Sequence, residues 1–462
     1  MTADGHADRG RAAAVGIVGG GVTGLALAHY LDREGVEFEL FEAAPDPGGV
    51  VRSERVAGHL LEYGPQRIRR TDHIDELIRD LDLESEVRTA DPDLHIRVYA
   101  DGKLRQAPFT PEEFATTDLL SADAKREVLS EPFTAPGDPE ESAAELFTRK
   151  FGREAYRNLL GPLFGGIYGS NPEAMPVEHA LSGLLKLEAR DGSLLKTALK
   201  RAASDRETPP AISFDDGLQR LPEALAEAHA DSIRLGTPVT AVRGADGRDD
   251  EREGGWLLET PDGTTHVSDV VLTTPADLTA DLVSDLAPDS ADALRNLTYN
   301  PLAMVYLRAD LAEGDVDPDA LGYQVGFGED LRTLGVSWNA SMFDRGVRAS
   351  EASASSSRAE RSDGVCTVFL GGMHDPEILA ESDDYLGEVA SREFEEVTGA
   401  PAEVVEVHHL GRGFPAYDDS WAALDDVNLP DGIRLATNYT ARMGVPSRIR
   451  EAESVAEELA AR

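Results

Sequence analysis

Residues 13–42 read AAVGIVGGGVTGLALAHYLDREGVEFELFE. The apolar run AAVGIVG predicts a buried strand, GGVTG a turn, LALAHYLDREG a helix ended by Gly35, and FELFEA a second strand. Gly19, Gly21 and Gly24 fall between the first strand and the helix, the spacing of a dinucleotide cradle. The first glycine allows the tight turn, the second lets backbone approach a pyrophosphate, and the third lets helix and strand pack closely. Glu42 ends the second strand, where an acidic side chain bonds a ribose hydroxyl. The competing reading is a glycine-rich turn followed by a chance acid. Residues 12–31 carry no charge and resemble a membrane anchor by hydropathy, but five glycines there suit a strand, turn and helix start better than a helix interior.

Outward from this unit, composition narrows the function. The 462 residues call for two or three domains. Asp and Glu number 86 against 44 Lys and Arg, a formal charge of −42, and only six of the basic residues are Lys. Such a field repels nucleic acid and anionic headgroups, so no nucleic-acid partner is expected. At 41% hydrophobic residues the chain nevertheless has a core. Acid on every surface segment, with Lys nearly absent, reads as the coat of a protein from an extreme halophile. The single cysteine, Cys366, excludes an intramolecular disulfide and cysteine-based metal clusters, and fits a cytoplasmic location. No stretch is expected to span a bilayer.

Helical patterns dominate residues 71–169, interrupted by the strand-like HIRVYADGKLRQAP. Residues 201–210 form a polar breaker, after which short strands return. Residues 244–255 read as a charged hairpin tip and 349–363 as a low-complexity loop; neither carries chemistry. The chain closes with GIRLATNY and a helix from about 447 to 460.

After Glu42 comes AAPDPGGVVRSERVAGHLLEYGP, with Gly48, Gly49 and Arg52. This pattern resembles FAD-binding oxidoreductases of the amine oxidase and phytoene desaturase superfamily. In the FGREAYRNLLGPLFGGIYGSNPE segment, Pro162, Gly166, Ile167, Tyr168, Pro172 and Glu173 narrow the resemblance to its protoporphyrinogen/coproporphyrinogen oxidase family. LEYGPQRIR is similar to the family's turn near the flavin, FDDGLQRLPEAL to its motif before a second FAD-contacting strand, and LATNYTARMGVPSRI to its C-terminal signature.

The resemblance implies an α/β fold: a discontinuous Rossmann-like FAD-binding domain (11–80, 211–285, 405–462), a mixed-sheet substrate domain (81–110, 286–404) and a helical lobe (111–207). It implies non-covalent FAD, contacted by Gly19, Gly21, Gly24, Glu42, Gly48, Gly49, Arg52, Gly64, Val239, Trp421, Gly444 and Val445. A helix beginning after Gly444 and Val445 would point its free N–H groups at the flavin edge where charge collects on reduction. The implied reaction is oxidation of a porphyrinogen to a porphyrin in haem and tetrapyrrole biosynthesis, with dioxygen as acceptor. The implied substrate contacts are Arg97, Gly166 and Tyr323, with no dedicated catalytic side chain. Any peripheral membrane contact would fall to the helical lobe. An amine oxidase or isoprenoid desaturase on the same scaffold is the alternative.

Three departures qualify the resemblance. FPAYDDSW places Trp421 where the family has His, Thr437 replaces a glycine, and Arg97 stands one residue out of the simplest register. A one-residue shift reverses the face of a strand. Cys366 reads as a core residue, and His374, His408 and His409 lack a metal-ligand spacing, so no metal is expected.

Overall fold

A computed structural model of the chain describes residues 13–202, 208–245, 255–343, 363–440 and 444–462. The opening β-α-β unit forms as its pattern demands. β1 (Ala13–Val18) presents fully buried Ile17, the first helix (Val22–Arg33) is buried along most of its length, and β2 (Phe38–Phe41) pairs parallel with β1. Three short pieces follow, β3 (Ser53–Val56) and β4 (His59–Glu62) as a hairpin and β5 (Ile68–Arg69). β6 (Val87–Thr89) joins β5 through β9 (Ala211–Phe214) in a small three-stranded sheet.

The opening unit belongs to a mixed sheet whose other strands come from far along the chain. They are β10 (Ile233–Arg234), β11 (Ala241–Gly244), β12 (Trp256–Thr260), β13 (Gly263–Leu272) and β19 (Ile433–Leu435). Their order is β10-β2-β1-β13-β12-β11, with β19 also parallel to β13. The β11–β12 hairpin flanks the charged tip, of which residues 246–254 lie outside the described residues. The closing helix, Val445–Ala460, packs its buried Ile449, Ala452 and Ala456 into the same core as Leu25 and Ala28 of the first helix. The chain's two ends therefore build one layer.

The second mixed sheet holds β7 (His95–Ala100), β8 (Lys103–Gln106), β14 (Tyr299–Asp310), β15 (Ala320–Val325), β16 (Thr333–Ser337), β17 (Asp363–Gly371) and β18 (Ala402–Pro415). Its order is β18-β14-β17-β16-β15-β7-β8. One face is covered by the helix Asp383–Thr398, whose Leu386, Val389 and Phe394 meet Val305, Leu307, Cys366 and Val368. We call this the back. The boundary expected at residue 405 falls inside β18, which pairs with β14 from Tyr299↔Pro415 to Ala309↔Ala402 and so belongs to the second sheet. The local pattern VEVHHLGRGF has too little alternation to reveal a strand; its pairing partner supplies the stability. The low-complexity loop at 349–363 falls almost wholly outside the described residues.

Between residues 111 and 202 the chain is helical. The helical stretch through FTRKFGREAYRNLL breaks at Gly152, whose φ is +88°, resumes at Arg153–Ala155 and widens into a turn at Tyr156–Leu160 before the helix Gly161–Tyr168. An ionic core staples these helices. The fully buried Lys150 ammonium pairs with Glu188 and lies 3.6 Å from Glu131, which accepts from the Leu194 and Leu195 N–H groups. No helix among the described residues is long and apolar enough to cross a membrane.

Candidate functional site

The turn after β1 is built by close approach. Gly19 has φ +112°, and a Cβ there would lie 2.5 Å from Thr273 Oγ1; a Cβ on Gly24 would lie 2.0 Å from Gly19 O. Thr273, at the end of β13, donates through Oγ1 to Val18 O (3.0 Å) and Gly19 O (2.9 Å). This brace has no local signature and was not expected from the sequence. Gly21 differs: a Cβ there meets nothing within 4 Å, and its φ of −70° suits any residue. It caps the first helix without a side-chain hydrogen bond, so that helix's leading N–H groups face open space. An uncapped helix start beside an open glycine fits a pyrophosphate.

Neighbouring groups complete the cradle. Gly48 N donates to Gly20 O at 2.8 Å, and Gly48 and Gly49 take φ of +116° and +60° to lie against the turn. A Cβ on Gly49 would sit 3.4 Å from Gly21 Cα. Glu42 accepts from Ala44 N (2.7 Å) and Gly20 N, which fixes its carboxylate beside the turn. Thr237 N donates to Glu42 O at 2.8 Å, bringing the loop with half-buried Val239 alongside. Arg52 is exposed; it pairs with Glu54 at 2.8 Å and lies over the Tyr63 ring at 5.0 Å. A Cβ on Gly64 would lie 1.9 Å from Val50 O, so the turn at Gly64 admits no side chain.

Gly24→Ala is expected to destabilise the fold by about 3 kcal/mol, because the methyl group would overlap a backbone oxygen that cannot move away. Chemical unfolding of the flavin-free protein measures it.

The C-terminal segment closes the site. Gly444 is the N-cap of the helix Val445–Ala460, again without a side-chain cap, and Val445 is buried. Residues 441–443 lie outside the described residues. Thr437 is buried and its N–H donates to Thr440 Oγ1 at 2.9 Å, so the substituted position makes a local turn. Trp421 stacks on Tyr417 with centroids 4.5 Å apart and packs against both the first sheet's core and the helical lobe.

The second sheet separates the three expected substrate residues. A Cβ on Gly166 would lie 1.8 Å from Gln324 Oε1, so the helix Gly161–Tyr168 packs on the sheet's front at Gln324. Tyr323, one residue earlier, points to the back, buried with Leu386 and Phe394. Burial there drives its hydroxyl far above the usual tyrosine range. Arg97 pairs in register with Tyr323 and shares its face, 3.7 Å from Asp317 and over the Trp338 ring at 5.7 Å. Arg97 and Tyr323 therefore lie on the face opposite Gly166 and do not form a site with it. Strand alternation is the reason.

Other groups occupy the front. Gln324 Oε1 and Ser337 Oγ are buried without a hydrogen-bond partner, which marks polar space that a bound molecule would fill. Buried Gln66 accepts from Thr367 Oγ1 at 3.0 Å and from Asn339 Nδ2. A cleft of about 480 Å³ opens beside Gly166, lined among others by Tyr156, Phe327, Arg332 and His374. Burial pulls His374 below the usual imidazole range, and Arg332 is locked to Asp375 at 2.6 Å. Cys366 lies on the back, its thiol pushed up to about 12 by burial. Among the described residues no three His, Cys, Asp or Glu side chains converge on a metal site.

The family model for flavin-containing amine oxidoreductases matches residues 22–460. The chain is 26% identical to the chloroplastic protoporphyrinogen oxidase of Nicotiana tabacum over 489 aligned positions, 96% of this chain and 84% of that protein. It is 26% identical to the coproporphyrinogen III oxidase of Bacillus subtilis over 70% of this chain and 72% of that one. Among solved structures, a candidate protoporphyrinogen oxidase of Exiguobacterium sp. 255-15 shares the fold with a TM-score of 0.76 at 24% identity, covering 98% and 100% of the two chains. A putrescine oxidase variant does so at 0.71 and 17%, covering 97% and 99%.

Proposed function

We propose, from the premise that the chain belongs to the flavin-containing amine oxidoreductases, that it oxidises a porphyrinogen to a porphyrin with dioxygen as acceptor. The cofactor in this reading is FAD, held without a covalent bond. Bound flavin supplies hydride acceptance at N5, taken from a methylene bridge of the macrocycle.

The chain's own residues bind and orient. Gly19, Gly21, Gly24, Gly48 and Gly49 give the pyrophosphate a backbone cradle, with Arg52 at its rim. Glu42 takes the ribose hydroxyls and Val239 lies beside the adenine. Gly64, Trp421, Gly444 and Val445 surround the flavin, the last two offering the uncapped helix start to the ring edge that gains charge. Gly166, Gln324 and Ser337 shape the substrate side. The polyanionic surface keeps nucleic acid away, and the protein works in the cytoplasm of an organism that tolerates salt. A peripheral membrane contact would use the lobe, where Phe133 is 90% exposed.

The observation that carries the porphyrinogen reading is the packing of the GIYGSNPE region against the front of the second sheet. That segment resembles the porphyrinogen oxidases and not the amine oxidases or desaturases, and Gly166 within it meets Gln324. The second reading, an amine oxidase or isoprenoid desaturase, is favoured by the fold shared with putrescine oxidase. Turnover with dioxygen as sole acceptor separates them. Porphyrin fluorescence should appear from protoporphyrinogen or coproporphyrinogen, with no oxidation of putrescine or phytoene. The reverse pattern would assign the chain to the second reading.

A further inference from the structure

The loop after Gly64 carries Gln66 and Arg67 in succession. Gln66 donates to Glu62 O (3.0 Å) and Gly64 O (2.9 Å) and accepts from Thr367 and Asn339, which ties the loop to the front of the second sheet. Arg67 reaches the far end of the short helix Asn339–Met342, where Nη1 donates to Met342 Sδ at 3.1 Å. Met342 packs with Leu321, next to the strand position where Gly322 pairs with Ile96. The guanidinium thus stands where the Gln66 loop, β15 and the helix Asn339–Met342 come together.

What singles it out is the partner it lacks. Arg70, Arg220 and Arg332 each hold a carboxylate at 2.6–2.8 Å. Arg67 pairs with none among the described residues; its one hydrogen bond goes to a thioether, a weak acceptor. The charged neighbour that acts on it is Arg69, of the same sign, and burial pulls its pKa down to about 10. In a chain with 86 acidic residues, a half-buried guanidinium that pairs with no acid among the described residues is suited to receive an anion.

We propose that Arg67 receives a propionate of the substrate, resting on the porphyrinogen reading above. Arg presents a planar fork that matches a carboxylate with two parallel hydrogen bonds, and the Met342 sulfur is readily displaced by an anionic oxygen. A porphyrinogen bearing several carboxylates approaches a chain of net charge −42 against repulsion, and a half-buried cation beside the Gln66 loop offsets it locally. Arg97, placed on the back near Asp317, cannot serve this purpose.

The experiment compares FAD-loaded wild type with Arg67→Met and Arg67→Lys. Binding of coproporphyrin III and of its tetramethyl ester is followed by fluorescence, alongside KM for the matching porphyrinogens and the melting temperature. Arg67→Met should weaken binding of the free acid about tenfold, the size of one charge-assisted contact, and raise its KM in parallel. The ester should bind both proteins alike, and Arg67→Lys should restore part of the loss. The melting temperature should hold or rise, because a partly desolvated cation without a carboxylate partner has been replaced by an apolar side chain of similar length. Equal weakening of acid and ester, no weakening of either, or a lowered melting temperature would overturn the assignment. Ester-sensitive binding in a wild type that oxidises no porphyrinogen would leave Arg67 standing and remove the functional reading. Porphyrinogen turnover that ignores Arg67 would do the opposite.

Discussion

Gly21→Val is expected to give a chain that folds normally and carries no flavin. A Cβ at Gly21 meets no protein atom within 4 Å, and the backbone there, φ −70° and ψ 173°, suits valine. Losing glycine at a helix N-cap costs about 1 kcal/mol or less. The methyl groups instead enter the space assigned to the pyrophosphate, where the cofactor cannot shift. Affinity should fall at least about a hundredfold, the equivalent of roughly 3 kcal/mol of overlap. Flavin content after purification, together with melting of the flavin-free protein, checks both halves. Gly24→Ala should show the opposite pattern, with the fold harmed first. If Gly21→Val retains stoichiometric FAD, the turn after β1 does not cradle it.

The second large effect concerns salt. With a formal charge of −42, self-repulsion acts over a Debye length of about 30 Å at 0.01 M salt and about 3 Å at 1 M. Acidic residues are spread over both sheets' edges and the lobe, and many of their arginine partners are exposed, where pairing contributes little. The melting temperature should therefore rise by about 10 °C or more between these concentrations of sodium chloride. A neutral osmolyte should not reproduce the rise. An unchanged melting temperature would separate the acidity from stability and from the halophilic origin inferred from it.

The cradle was legible in the sequence because its parts are local. Gly19, Gly21, Gly24 and Glu42 declare themselves by spacing, and the alternation of strand and helix around them gives the α/β fold its first layer. Thr273 was not legible, since it reaches Gly19 only through the pairing of β13 with β1. The same reason hid β18, whose regularity comes from β14. In the second sheet, facing separates the residues. Arg97 and Tyr323 turn to the helix-covered back, while Gln324 and Val98 turn to the lobe. Nothing in a single strand's pattern marks which face will meet a ligand when both are buried. Arg67 has no local signal within LEYGPQRIR, because its lack of a carboxylate partner among the described residues is a property of the folded chain.

Whether this cradle and this sheet face bring a porphyrinogen to a flavin is read from electron transfer without turnover. The purified yellow protein is mixed anaerobically with protoporphyrinogen or coproporphyrinogen, and flavin absorbance and porphyrin fluorescence are followed together. Bleaching of the flavin on mixing, with oxidised tetrapyrrole formed in step and colour restored by dioxygen, is the predicted result. A flavin that stays oxidised with either porphyrinogen but is bleached by an amine or a carotenoid precursor would contradict it.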